Sequence, residues 1–211
     1  MLKSSPPTLH YEQNLWKTGL TRVVGIDEVG RGCLSGPVIA AAVILPADCT
    51  PISQVTDSKK LSAKQREQLC PLIKQQSLAF SIGIASVADI DRLNILRATF
   101  LAMQRALQRL QPIDYILMDG KLPKNHPFGK KITPIISGDQ HCYSIACASI
   151  IAKVSRDRLM RQLSQIYQGY GWDRNAGYGT LEHRQALQKQ GVTPHHRRSF
   201  APIKTLLFPD A

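Results

Sequence analysis

The stretch covering residues 22–45, RVVGIDEVGRGCLSGPVIAAAVIL, constrains this chain more than any other. An apolar run ends in two adjacent carboxylates, Asp27 and Glu28. A turn containing Gly30, Arg31, Gly32 and Gly36 follows, and a second apolar run closes at Leu45. Short β-branched runs bounded by glycines predict the two strands of a hairpin. Neighbouring strand residues point to opposite faces, so a regular strand does not aim both acids at one point. The first strand is therefore expected to end or bend near Asp27, beside Gly25 and Gly30. Buried carboxylates are costly unless paired or bound to a cation. The pair alone leaves two readings open: loop-end acids in salt bridges, or oxygen ligands for a hard divalent ion. The glycines have neither the spacing of a dinucleotide-binding turn nor the Gly-Lys-Ser/Thr ending of a P-loop. They do let backbone approach a ligand closely, and N–H groups beside Arg31 suit a phosphate or a sugar hydroxyl.

The remaining pattern predicts an α/β protein. A short helix is expected over residues 11–17, after a loose tail over residues 1–8. Residues 46–58 read as a loop and 61–75 as a helix with Ser62 as its N-cap. A strand over 78–86 completes an antiparallel meander. Residues 94–110 form the clearest helix: Leu96, Phe100, Met103, Leu107 and Leu110 make an apolar stripe at helical spacing, assigned to the core. A strand over 113–118 delivers Asp119 at its end, and a strand over 132–136 is followed by Asp139 in a Gly-Asp turn. A long helix over 143–163 carries Ala146, Ala148, Ser149 and Ala152 for close packing, and residues 164–211 read as helical pieces. The order implies a single domain with a mixed sheet flanked by helices, its core spanning about residues 20–160 and a helical extension about 161–211.

Composition narrows the partners. Lysine and arginine number 27 against 15 acids, a formal +12. Such an excess points to a polyanion, either nucleic acid or an anionic membrane surface, against the plainer reading of a solubilising surface. No basic amphipathic helix with an aromatic face stands out, which favours nucleic acid. Five cysteines, an odd number with no C-x-x-C pair, fit reduced thiols. The N-terminus lacks an apolar signal core, and the longest apolar run, residues 38–45, is too short to cross a bilayer. A cytoplasmic protein without a membrane partner is expected.

Several separated motifs then occur in order: GIDEVGRGCLSGPVIAAAVIL from Gly25, DSKKLS from Asp57, DRLNIL from Asp91, MDG from Met118 and SGD from Ser137. SIACASIIAKVSRDRLM from Ser144, NAGYGTLEH from Asn175 and TPHHRRSF from Thr193 complete the series. Together they resemble the type 2 ribonucleases H, bacterial ribonuclease HII in particular. Cys33 stands where that family usually carries proline, and residues 140–142 and Ala176 are less typical, but no carboxylate is lost. The resemblance implies a ribonuclease H-like fold with a helical C-terminal extension. It implies an endoribonuclease acting on RNA–DNA hybrids and 5′ to ribonucleotides embedded in duplex DNA, leaving 5′-phosphate and 3′-hydroxyl ends.

By the same resemblance, Asp27, Glu28, Asp119 and Asp139 are the catalytic ligands of two Mg²⁺ or Mn²⁺ ions. An all-oxygen set suits those ions, and the Cys/His pattern of a zinc site is missing. Asp157 competes with Asp139 for the fourth place, although its position between Arg156 and Arg158 also reads as a structural salt-bridge acid. The resemblance assigns the Gly30-Arg31-Gly32 backbone to the 2′-hydroxyls that distinguish RNA from DNA. It assigns Tyr178 to the sugar of the following deoxynucleotide, where the residue by itself reads as a turn aromatic. Lys59, Lys60, Lys153, Arg197 and the amide of Asn94 are candidate phosphate contacts, Lys59 and Lys60 reading equally well as solvated surface. His183, His195 and His196 are expected at the surface or beside phosphates. A monomer is expected, and with fewer than thirty residues ahead of Asp27 no N-terminal substrate-binding domain is expected. The terminal KTLLFPDA carries two leucines and a phenylalanine of a kind that a sliding clamp takes up, against the plainer reading of a packed tail.

Overall fold

In the computed structural model, which describes residues 6–208, one five-stranded sheet organises the chain. Its strands are β1 Val23–Val29, β2 Val38–Ile44, β3 Ala79–Ala85, β4 Tyr115–Asp119 and β5 Ile132–Ile135, in the spatial order β3-β2-β1-β4-β5. β1, β2 and β3 form the expected antiparallel meander. β4 and β5 run parallel to β1, with Ile26 opposite Met118. β2 is a fully buried apolar run, and β1 is buried from Val23 to Asp27, because helices cover both faces.

The helices are α1 His10–Trp16, α2 Ala63–Gln76, α3 Val87–Leu93, α4 Ile95–Gln108, α5 Gly138–His141, α6 Tyr143–Ile166, α7 Trp172–Asn175, α8 Leu181–Gln190 and α9 Ile203–Leu207. Ser62 caps α2 in a reciprocal box with Gln65, as its sequence suggests. α3 was not legible as a separate helix. Ser86 and Asp89 cap its start, and Asn94, at φ +69°, breaks the chain before α4 while its Oδ1 accepts from the N–H groups of Leu96 and Arg97. Of the apolar stripe, Phe100, Met103 and Leu107 on α4 and Leu110 just beyond it are buried, each stabilising by about 1.5–3 kcal/mol when fully covered. Leu96 is a correction: it is 40% exposed.

α4 packs on one face of the sheet with Val24, Ile26, Ile116 and Met118. α6 packs on the other, where its small residues permit contact with β1: a Cβ on Gly25 would lie 2.4 Å from Ser144. The C-terminal helices form a smaller apolar cluster with Leu34 and Met160 around the fully buried Trp172. Leu207 packs against that cluster, whereas Leu206 and Phe208 are about half exposed; the last residues of KTLLFPDA lie outside the described range. The expectation of a loose N-terminal tail fails at Thr8, which bridges Cys142; residues 1–5 lie outside the described range. All five cysteines are free thiols. Among the described residues no helix is long and apolar enough to cross a membrane.

The edge strand β3 depends on one close approach. A Cβ on Gly83 would sit 2.0 Å from the carbonyl oxygen of Ala102 and 2.5 Å from the N–H nitrogen of Ala106 in α4. Backbone cannot yield as a side chain does, so Gly83→Ala is expected to lower stability by about 1–3 kcal/mol, read as a fall in the urea midpoint at unchanged slope. An unchanged midpoint would show that α4 moves away freely.

Candidate active site

β1 does not end at Asp27 as expected; it continues regularly to Val29, and both acids lie within it. Alternation settles the consequence. Val24 and Ile26 face α4, so Glu28 does too, while Gly25 faces α6, so Asp27 does too. The register pairs Ile26 with Met118, so the next residues along the two parallel strands, Asp27 and Asp119, stand side by side on the α6 face, just past the last β1–β4 pair. Glu28 comes from the other side of β1 and lines, with Asp119, Arg31, Leu96, Thr99 and Phe100, a cleft of about 600 Å³. The acids thus surround the end of the sheet rather than share one face.

Asp139 arrives from α5 rather than from a simple turn. Ser137 adopts a left-handed conformation at φ +53° to start it, and the Gly138 N–H donates to Asp119 Oδ1 at 2.6 Å, tying the two segments together. Asp157 lies elsewhere on α6, where its oxygens pair with Lys153 at 2.7 Å and with Arg66 at 3.4 Å.

Electrostatics mark the same cluster. Burial, then the charges of Glu28 and Asp119, push Asp27 well above the usual carboxylate range, against hydrogen bonds from Ser149 and the Glu28 N–H. Burial also raises Glu28, with Asp119 adding to it and Arg31 opposing. Asp139 is pushed up to about 6 by burial and by Asp57 and Asp119. Burial pulls the Lys59 ammonium down, but Asp139, Asp57, Asp27 and Asp119 outweigh it and hold the group above its ordinary value. Among the described residues no three His, Cys, Asp or Glu side chains already stand at ligand-closing distances. The acids are close enough to oppose one another's ionisation without forming a finished cage. Oxygen-only and crowded, with Asp27 and Asp139 buried and Glu28 and Asp119 half-buried, the set fits a hard divalent cation.

Two participants escaped the sequence reading. Asp57, 5% exposed, accepts from the Lys59 N–H and raises Asp139. Ser149, counted only as a small packing residue, hydrogen-bonds Asp27 and meets Ser58 Oγ at 2.8 Å. The one available signal was DSKKLS, an acid and a serine ahead of two lysines.

The other candidates divide. Gly30, Arg31 and Gly32 form the turn next to Glu28, with Arg31 Nη1 3.3 Å from Glu28 Oε1. Tyr178, 43% exposed, lies 3.9 Å from where a Gly32 Cβ would stand. Lys59 Nζ is exposed 3.8 Å from Asp139 Oδ2, and Lys60 Nζ reaches Gln140 Oε1 at 3.4 Å. Asn94 is exposed, with its side-chain oxygen engaged as the α4 cap. Lys153 is partly buried in its pair with Asp157. Arg197 requires correction: it is fully buried with its guanidinium on backbone carbonyls, out of reach of a phosphate. His183 and His196 are also buried rather than at the surface, their Nε2 atoms 3.0 Å apart. His183 is held by Trp172 Nε1 and the Tyr178 carbonyl, and His196 by Thr193.

The fold and the acid cluster at its strand ends define a ribonuclease H-type hydrolase. A family model described as ribonuclease HII matches residues 24–203. A ribonuclease HII from Thermosynechococcus vestitus is 61% identical over 202 residues, covering 96% of this chain and 93% of that protein. Among solved structures, the Archaeoglobus fulgidus ribonuclease HII in complex with PCNA is 25% identical with a TM-score of 0.69, covering 85% of this chain and 95% of that one. Bst-RNase HIII in complex with Mn²⁺ shares the fold at 21% identity and a TM-score of 0.71, covering 88% of this chain and 68% of that one. The chain belongs to the ribonuclease HII family. Ribonuclease H activity on RNA–DNA hybrids, with dependence on divalent metal, comes with that membership.

The raised carboxyl groups fix a pH dependence. In the unfolded chain Asp139 ionises near 3.8, whereas the folded protein holds its proton up to about 6. Between these values the folded state binds more protons, so stability is greatest below the lower value and falls as pH rises through the upper one. Without divalent ions, the melting temperature is expected to drop between about pH 4 and 6. Asp139→Asn should flatten part of that drop, and an Asp139→Asn profile parallel to that of the unsubstituted protein would contradict the assignment.

Proposed function

We propose that the chain cuts the RNA strand of RNA–DNA hybrids and also incises on the 5′ side of single ribonucleotides embedded in duplex DNA, leaving 5′-phosphate and 3′-hydroxyl ends. The observation that carries this reading is the juxtaposition of Asp27 and Asp119 on adjacent parallel strands, with Glu28 on the other side of β1 and Asp139 tied alongside. When bound, two Mg²⁺ or Mn²⁺ ions would supply activation of the attacking water and neutralisation of charge at the leaving 3′-oxygen. The Mn²⁺ in the Bst-RNase HIII complex supports that choice of ion.

The chain's own side chains do the rest. Asp27, Glu28, Asp119 and Asp139 hold the cations, Ser149 orients Asp27, and Arg31 neutralises part of the Glu28 charge. Lys59, exposed at the rim beside Asp139, meets a phosphate of the incoming strand, with Lys60 next to it. The backbone of the Gly30-Arg31-Gly32 turn takes the ribose 2′-hydroxyl, and Tyr178 packs on the following sugar. The net charge of +12 draws the duplex in without reading its sequence.

The test is a DNA duplex carrying one ribonucleotide, incubated with and without Mn²⁺. Metal-dependent cutting on the 5′ side of that ribonucleotide, with an all-DNA duplex left intact, is the expected result. Equal cutting of both duplexes, or no cutting, would overturn the substrate reading. Asp27→Asn is expected to bind hybrid while losing roughly 10³-fold or more in kcat, the worth of several kcal/mol of charge stabilisation. Normal turnover would remove Asp27 from the mechanism.

A further inference from the structure

Two arginines, Arg156 on α6 and Arg197 in the segment after α8, are fully buried, and among the described residues neither has a carboxylate ion-pair partner. Both spend their donors on the backbone around the glycine turn. Arg156 donates to the carbonyls of Ser35 at 2.9 Å, Pro37 at 3.0 Å and Ala176 at 2.7 Å. Arg197 donates to Gly36 O at 3.0 and 2.9 Å, to Arg31 O at 2.8 Å and to Gly30 O, with its guanidinium 5.1 Å from the Phe200 ring centre. Burying an unpaired cation is expensive, and a neutral side chain could fill the same space. The carbonyl pattern explains what the charge achieves.

A trans peptide unit is planar, so a carbonyl and the N–H that follows it point in opposite directions. Arg197 draws the carbonyls of Gly30 and Arg31 inward together. The N–H groups of Arg31 and Gly32 must therefore both point outward, where those residues are exposed. Consecutive carbonyls on one side are foreign to a strand, and the chain leaves β1 for this turn at the left-handed Gly30, φ +96°. Successive outward N–H groups form a concave donor site, and among the described residues neither meets an internal acceptor. Gly32 gives an independent sign. A Cβ there would meet nothing within 4 Å except Tyr178, at 3.9 Å. Packing does not demand glycine at that position, and the space between Gly32 and Tyr178 is open to a ligand.

We propose that Arg197 is a positioning residue for substrate discrimination: its buried guanidinium fixes the peptide planes of the turn, so that the Arg31 and Gly32 N–H groups face outward as a paired donor site for a ribose 2′-hydroxyl. The inference rests on the substrate reading above and adds the residue that sets its geometry. Arg197 touches no substrate and acts through the turn.

The test measures binding in the Asp27→Asn protein, to avoid cutting, by fluorescence anisotropy with a duplex containing one ribonucleotide and with its all-DNA counterpart. The Asp27→Asn protein should prefer the ribonucleotide duplex. Adding Arg197→Lys, which keeps the charge but loses the fork, should reduce that preference by roughly three- to tenfold, the worth of one or two net hydrogen bonds, with affinity for the all-DNA duplex retained. A merely structural role would weaken both duplexes equally, and an unchanged preference in folded Arg197→Lys overturns the proposal. If that variant does not fold, the amide resonances of Arg31 and Gly32 in the Asp27→Asn protein decide. They should shift with the ribonucleotide duplex and not with the all-DNA duplex, and identical shifts overturn the proposal. Absence of any preference before Arg197 is changed would instead remove the substrate reading, and this inference with it.

Discussion

Negative charge crowded onto two neighbouring parallel strands is the constraint on which the structure turns. β1 and β4 bring Asp27 and Asp119 together by register alone, and Gly138 then fastens α5 to Asp119. No hydrophobic gain accounts for such a grouping, because each acid raises the cost of ionising its neighbours. The surrounding residues temper this cost without cancelling it: Ser149 under Asp27, Arg31 beside Glu28, Lys59 over Asp139. A site that remains electrostatically frustrated after these partners is a site prepared for a cation.

The glycine turn beside the acids shows the opposite arrangement. Here positive charge is buried, and backbone carbonyls rather than carboxylates surround it. The C-terminal segment is thereby joined to the catalytic edge: Gly177 accepts from Leu34 and Ser35, His195 accepts from Gly36, and Arg197 reaches across the turn. The buried His183–His196 pair belongs to the same framework, holding the Tyr178 carbonyl from within. Acid cluster and turn therefore form two halves of one surface, one suited to cations and the other to hydroxyl groups.

Much of this was legible in the residues. The meander, the strands leading to Asp119 and Asp139, the Ser62 cap and the long small-residue helix all follow from periodicity and turn chemistry. The strand end expected at Asp27 did not follow, because the acids converge around a sheet edge and need no bend. Asp57 and Ser149 were hidden because their roles depend on tertiary neighbours far away in sequence. Arg197 and the two histidines were misread for a related reason: polar residue type suggests the surface, and only packing reveals that backbone carbonyls and neighbouring rings satisfy them. Leu96 repeats the lesson in reverse, since its place in an apolar stripe concealed its position on the cleft wall.

The central claim is that these particular carboxylates share divalent cations, and calorimetric titration of Mn²⁺ into the protein and its single-charge variants tests it most directly. Saturable binding that is lost in Asp27→Asn and Asp119→Asn, weakened in Asp139→Asn and unaltered in Asp157→Asn is the predicted result. An isotherm for folded Asp27→Asn identical to that of the unsubstituted protein would contradict the account.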